Sequence, residues 1–180
     1  MSNKRQVFLS LHHHGALSLG KSRQQLGYSA YHWGILISPK SSKGPDCYIF
    51  DVSNGIMTDK EGKFDLNPEG NWVFRENSEA DPEWSGRVLG RVMIGKLPND
   101  VPYAEIDSLL RSIPLPQKGA LPEQNCVTWT RAAILKLREN NLVEKFDINR
   151  FMDDSIAFAD ERMKNADSTL AKINYTGRRM

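Results

Sequence analysis

Cys126 stands where a loop rich in proline (Pro114, Pro116, Pro122) gives way to apolar residues at helical spacing: Val127, Thr130, Ala133, Ile134 and Leu137. The spacing predicts a helix from Cys126 to Asn141 with Asn125 as its N-cap. A thiol in the first turn of a helix faces unpaired N–H groups and the positive end of the helix dipole, which stabilise a thiolate. The same N–H groups stabilise the oxyanion formed when sulfur attacks a carbonyl. Nucleophilic acyl transfer is therefore the chemistry this stretch could do. The structural alternative is a small buried hydrophobe, the usual state of a free cysteine.

A thiol nucleophile needs a base, and the base needs a group that fixes its tautomer. His32 and Asp51 are the candidates. They lie in mostly apolar runs, Tyr31 to Ser38 and Cys47 to Ser53, which read as strands. Ionisable side chains inside such strands are costly unless paired. The turn-rich residues Lys40 to Pro45 join the runs into an antiparallel hairpin, where cross-strand neighbours on one face lie about 5 Å apart. A helix N-terminus packed on that face brings Cys126 within reach. A strand histidine also has a plain reading as a satisfied core residue, and a strand aspartate as a hydrogen-bond anchor. Tyr31, Gln124 and Asn125 are candidate polar groups around the oxyanion. Trp33 and Trp129 are candidate cleft walls, with core packing as the alternative. Cys47 begins a strand, has no base motif beside it and reads as structural.

The elements that must hold these residues follow in chain order. Gln6 to His12 reads as a strand. His12, His13 and His14 invite a metal, but neighbours on an extended chain point to opposite faces, and no carboxylate or cysteine pattern nearby completes a site. They read as surface or loop histidines. Gly15 to Gly27 is polar and glycine-punctuated, a loop that can lie over a cleft. Thr58 to Glu83 is polar, with one short strand candidate at Trp72 to Arg75. Arg87 to Leu97 is a further strand, in which Gly90 and Gly95 suggest bending or close approach. Helices are expected at Tyr103 to Ile113 and Ile148 to Ala166. Residues 1–166 then form one domain, and 167–180 a polar, frayed tail.

Composition narrows the function classes. A chain of 180 residues with 39% hydrophobic and 26% charged residues suits one globular domain with a real core. A net charge of +2 with no basic stripe argues against a nucleic-acid partner. No apolar run reaches membrane-spanning length, and the N-terminus lacks a signal-peptide core. Two cysteines build no disulfide framework, so a reducing, cytoplasmic setting is expected.

Three short motifs resemble one superfamily. His32 to Ile37 (His-Trp-Gly-Ile-Leu-Ile) is similar to the His-Trp strand of the lecithin:retinol acyltransferase-like proteins. Tyr48 to Val52 resembles their next strand, in which a second histidine usually stands where this chain has Asp51. Asn125-Cys126 resembles their Asn-Cys nucleophile motif. The order of histidine, polar orienter and cysteine is that of the circularly permuted NlpC/P60 or papain-like group, which includes the PPPDE-type isopeptidases. Uncharacterised fungal sequences with the same His-Trp and Asn-Cys pair are also similar. The resemblance covers about residues 28–140. It implies an α+β, permuted papain-like domain with an antiparallel sheet packed against the Cys126 helix.

It further implies a Cys126-His32-Asp51 triad that acts through a covalent thioester, with no metal and no organic cofactor. The expected substrate is a small acylated compound or a peptide or isopeptide. An aspartate orients an imidazole as well as a histidine does. The membrane-anchoring C-terminal helix of several family members has no counterpart here, so no stable membrane anchor is expected. Residues Thr58 to Glu83 have no counterpart either and are left to shape the pocket. The rival readings are a binding or interaction module on the same scaffold and a non-hydrolytic biosynthetic tailoring enzyme. Oligomeric state stays open.

Overall fold

The structure, a computed structural model, describes residues 4–82, 86–165, 171–177 and 180. It is a mixed α+β fold built on one six-stranded sheet. The strands are β1 (Arg5–His13), β2 (Tyr31–Pro39), β3 (Cys47–Ser53), β4 (Val73–Ala80), β5 (Val88–Lys96) and β6 (Ala171–Asn174). The helices are α1 (Gly20–Leu26), α2 (Tyr103–Arg111), α3 (Cys126–Glu139) and α4 (Ile148–Lys164). The strand order is β4-β3-β2-β1-β5-β6. Every neighbouring pair is antiparallel except β5 and β6.

Side chains alternate between the two faces of each strand. Val7, Leu9 and Leu11 of β1 share one face with Trp33, Ile35 and Ile37 of β2, and all are fully buried. α2, α3 and α4 cover this face with Ile106, Leu110, Ala133, Ile134, Leu137, Phe151 and Met152. Each fully buried leucine or isoleucine contributes roughly 1.5–3 kcal/mol. The opposite face carries Ser10, His12, His32, Gly34 and Asp51, beside a small apolar cluster of Phe8, Leu36 and Met93. The two-residue period of the strands thus separates a structural face from a polar one.

Two glycines in the sheet sit at close approaches, and at Gly95 the approach demands glycine. A Cβ on Gly95 would lie 2.7 Å from Leu142 O and from Val143 Cα, so only glycine lets the chain after α3 pack against β5. A Cβ on Gly34 would lie 3.2 Å from the Asp51 Cβ and 3.4 Å from Ser10 Oγ. Gly34 therefore clears the space that Asp51 occupies. The β2–β3 ladder runs only from Ile35↔Phe50 to Ile37↔Tyr48. Beyond it the two strands no longer pair, and His32 lies at that opening.

Several expectations need correction. Gly15 to Gly27 is not a loop: it forms a 3-10 turn (Gly15–Ser18) and then α1, which Lys, Arg, Gln and Leu favour once Gly20 and Gly27, both at positive φ, delimit it. β4 extends to Ala80 although Arg75 to Glu79 are exposed. Its backbone is held by pairing with β3, so its strand state owes little to its own hydrophobicity. The expected frayed tail contains β6, which lies parallel to β5, and Tyr175 N bonds Met93 O at 2.9 Å. The expected ends at Glu83 and Ala166, and residues 167–170 of the tail, fall outside the described residues.

Candidate active site

α3 starts where it does because Asn125 caps it from both sides. Asn125 Oδ1 accepts from Val127 N at 2.9 Å and from Thr128 N at 3.3 Å, while Asn125 N donates to Thr128 Oγ1 at 2.9 Å. Asn125 Nδ2 donates to Ser29 Oγ at 2.9 Å, tying the helix start to the turn before β2. Cys126 is therefore the first helical residue. Among the described residues, the cap takes the N–H groups of Val127 and Thr128, Trp129 N bonds Asn125 O, and the N–H of Cys126 meets no protein acceptor. A donor left open beside the sulfur is what an oxyanion requires.

Cys126 is 6% exposed. It belongs to the hydrophobic core on one side and lines a cleft of about 800 Å³ on the other, with His32, Asp51 and Arg75. His32 Nε2 lies 2.8 Å from Asp51 Oδ2, so one ring nitrogen is committed to the carboxylate and Nδ1 is left for the thiol. Burial disfavours charge on His32. The hydrogen bond to Asp51 first, and then the influence of Cys126, more than offset that cost and hold the imidazolium up to about 9. Burial likewise opposes ionisation of Asp51. Hydrogen bonds from His32 and Arg75 prevail and bring its carboxyl down to about 2.

Arg75 is the site residue that sequence reasoning missed. It sits opposite Asp51 in the β3–β4 register. Its Nε and Nη2 donate to Asp51 Oδ1 and Oδ2 at 2.7 and 2.8 Å, a bidentate clamp that fixes the carboxylate plane. The sequence offered only a short strand candidate, Trp72 to Arg75, ending in a cation; nothing local set it beside Asp51.

The histidine run also needs correction. His12 is not a surface histidine. It lies directly opposite His32 in the β1–β2 register, with ring centroids 5.7 Å apart, edge to face, and its Nε2 is 3.2 Å from Ser10 Oγ. Burial first, and then the charge of His32, push His12 down to about 3, so it stays neutral beside His32. His14 also stacks on His32, with ring centroids 6.0 Å apart. His13 turns away, 3.1 Å from Gly86 O. Among the described residues, no set of three histidine, cysteine or carboxylate groups is arranged to hold a metal ion.

The other expected lining residues lie elsewhere. Tyr31 points to the opposite face of β2, where its hydroxyl donates to Asp160 Oδ1 at 2.6 Å. Trp33 is fully buried in the core, its Nε1 donating to Tyr28 O at 2.9 Å. Trp129 also belongs to the core, edge to face with Phe74. Gln124 Oε1 accepts from Gln117 N at 3.0 Å and so ties down the preceding loop. Asn125 is the helix cap. Cys47 is buried, with Asp46 Oδ1 at 3.7 Å and Ser42 Oγ at 3.8 Å, and burial pushes its thiol up.

The sequence model of one family, described as a family of unknown function, matches residues 4–167. The chain belongs to that family, DUF6914. The match spans all five antiparallel strands and all four helices, and with them every residue of the cleft around Cys126. No curated protein and no solved structure matches the chain. Among the described residues of this DUF6914 chain, no helix is long and apolar enough to cross a membrane.

Proposed function

We propose that this protein is a cysteine-dependent hydrolase or acyltransferase on a permuted papain-like domain, acting on an amide, isopeptide, ester or thioester. One observation carries the reading. A histidine bonded to a buried carboxylate on one nitrogen shares a cleft with a cysteine at the first position of a helix. The order of the three groups along the chain and their element types also agree with the motifs that suggested that superfamily.

The chemistry follows from the groups present. His32 takes the proton of Cys126 on Nδ1, or already holds it as an ion pair, and Asp51 holds the imidazolium through Nε2–H. The thiolate attacks the carbonyl carbon, and the open N–H of Cys126 receives the oxyanion. Collapse of the tetrahedral intermediate breaks the bond to the leaving group, which departs with the proton from His32. The product is a thioester on Cys126. His32 then deprotonates water or another acceptor, which attacks the thioester and returns Cys126 as a thiolate. Water access to the thioester decides between hydrolysis and transfer.

Intact-protein mass spectrometry after incubation with activity-based acyl probes tests the proposal. A single acyl adduct is expected on Cys126, absent in Cys126→Ala and strongly reduced in His32→Ala, with both variants still folded by circular dichroism. No adduct under any probe, or equal modification of Cys47, sinks the enzyme reading and favours a binding module.

A further inference from the structure

The cleft around Cys126 presents guanidinium N–H groups that meet no acceptor among the described residues. Arg75 spends Nε and Nη2 on Asp51, whereas its Nη1 meets no acceptor among the described residues. Its side chain is 46% exposed on the cleft wall. Arg87, on the same wall, is exposed and its guanidinium meets no protein acceptor among the described residues. Two carboxylates line the same cleft. Asp51 is shared between His32 and Arg75. Glu76 forms no ion pair among the described residues, and Arg111, whose partner is Asp107, feels its charge.

Arg87 acts on the interior of the cleft: His14 is held below its ordinary value by burial first, then by His32 and Arg87.

We propose that this cleft receives a carboxylate: the substrate carries a carboxylate near its scissile carbonyl, held by Arg87 and the open edge of Arg75. The inference rests on the reading of Cys126 as nucleophile. A guanidinium matches the planar carboxylate with two parallel N–H donors. The carboxylate belongs either to the acyl part or to the leaving group of the substrate.

Paired alkylation tests this. Iodoacetate and iodoacetamide form the same S–C bond and release the same iodide, but only iodoacetate is anionic. The experiment uses the Cys47→Ser chain, so that all label reports on Cys126. The ratio of iodoacetate to iodoacetamide rates is expected about tenfold above that of free cysteine at low ionic strength, the size of a partly exposed charge effect. The imidazolium of His32 also attracts an anion, so Arg87→Gln is the decisive arm. That variant is expected to lower the ratio about threefold or more, and added salt is expected to lower it in the parent.

A ratio equal to that of free cysteine, or unchanged by Arg87→Gln, overturns the carboxylate receptor while rapid iodoacetamide labelling leaves the nucleophile standing. Inertness of Cys126 to both reagents removes both. Acyl probes with the carboxylate on the acyl part or on the leaving group separate the two sources. Faster acylation by either than by its neutral counterpart supports the receptor, and by neither overturns it.

Discussion

Tyr31 and His32 are neighbours on β2 that point to opposite faces, and each ends on an aspartate clamped by an arginine. On one face Asp160 takes the Tyr31 hydroxyl at 2.6 Å and both Nε and Nη2 of Arg23 at 2.6 Å. On the other, Asp51 takes His32 at 2.8 Å and both Nε and Nη2 of Arg75 at 2.7 and 2.8 Å. The polar geometry is nearly the same. The difference lies behind the third group. Tyr31 is backed by the core and its knot ties α1 to α4, whereas His32 has Cys126 and a cleft at its far side. An aspartate–arginine clamp is therefore no mark of a site by itself. What marks one is a titratable ring with a nucleophile and open space beyond it.

The comparison can be broken most directly by exchanging roles. Cys126→Ala or His32→Ala is expected to cut acylation or turnover by about 10³-fold or more, as loss of a member of such a triad does. Tyr31→Phe is expected to leave the rate within about threefold and to cost about 1 kcal/mol of stability in urea unfolding. A large rate loss from Tyr31→Phe would put the oxyanion chemistry on the wrong face.

The two aspartates give the next effect. Asp51→Asn keeps the shape but loses the charge that holds the imidazolium, and is expected to slow acylation about 10–100-fold in the same kinetic assay. Asp160→Asn is expected to leave the rate unchanged and to lower the melting temperature by a few degrees.

The pH response separates the two knots further. His32 lies at about 9, above the ordinary 6.5, so the stability it adds is complete below 6.5 and is lost as pH rises through 9. His12 lies at about 3, below 6.5, so the stability tied to its neutral ring is complete above 6.5 and is lost as pH falls from 6.5 towards 3. Asp51, brought down to about 2 from 3.8, adds stability that is present above 3.8 and is lost as pH falls through 2. Maximum stability is expected near pH 6.5, read from urea midpoints at about pH 4.5, 6.5 and 9.5. In the Tyr31 knot, burial raises the phenol and Asp160 is held below the usual carboxylate range, so neither group titrates between 5 and 9. His12→Gln is expected to flatten the acid side and Tyr31→Phe to leave the profile unchanged. The rate is expected to fall above about pH 9, where His32 loses the proton it must deliver.

The smallest expected effect is at Gly34. Gly34→Ala puts a methyl 3.2 Å from the Asp51 Cβ, so the neighbour must shift by a few tenths of an ångström. A rate loss of about two- to fivefold with little change in melting temperature is expected. A neutral result in the acylation assay would show that Asp51 has room to move.

Much of the site was legible because local rules governed it. Asn125 and the helical spacing after it located the start of α3, and the apolar run around His32 located β2, since capping and hydrophobic periodicity act within a few residues. His12, Arg75 and β6 were not legible in this way. His12 reads as one of three surface histidines until β1 is laid against β2. Arg75 lies in a polar edge strand with no alternation of its own. β6 is a strand because β5 offers it a partner, not because its residues demand it.

The sequence by itself determined which groups were available and roughly where the elements carrying them begin and end, because caps, turns and periodicity are short-range. Only the tertiary structure decided which groups face one another. Strand register and parity sent Tyr31 to the core side and His32 to the cleft, and placed His12 and Arg75 around the base. A shift of one residue in that pairing would exchange the faces, and register is set by the packing of the whole sheet rather than by any one segment.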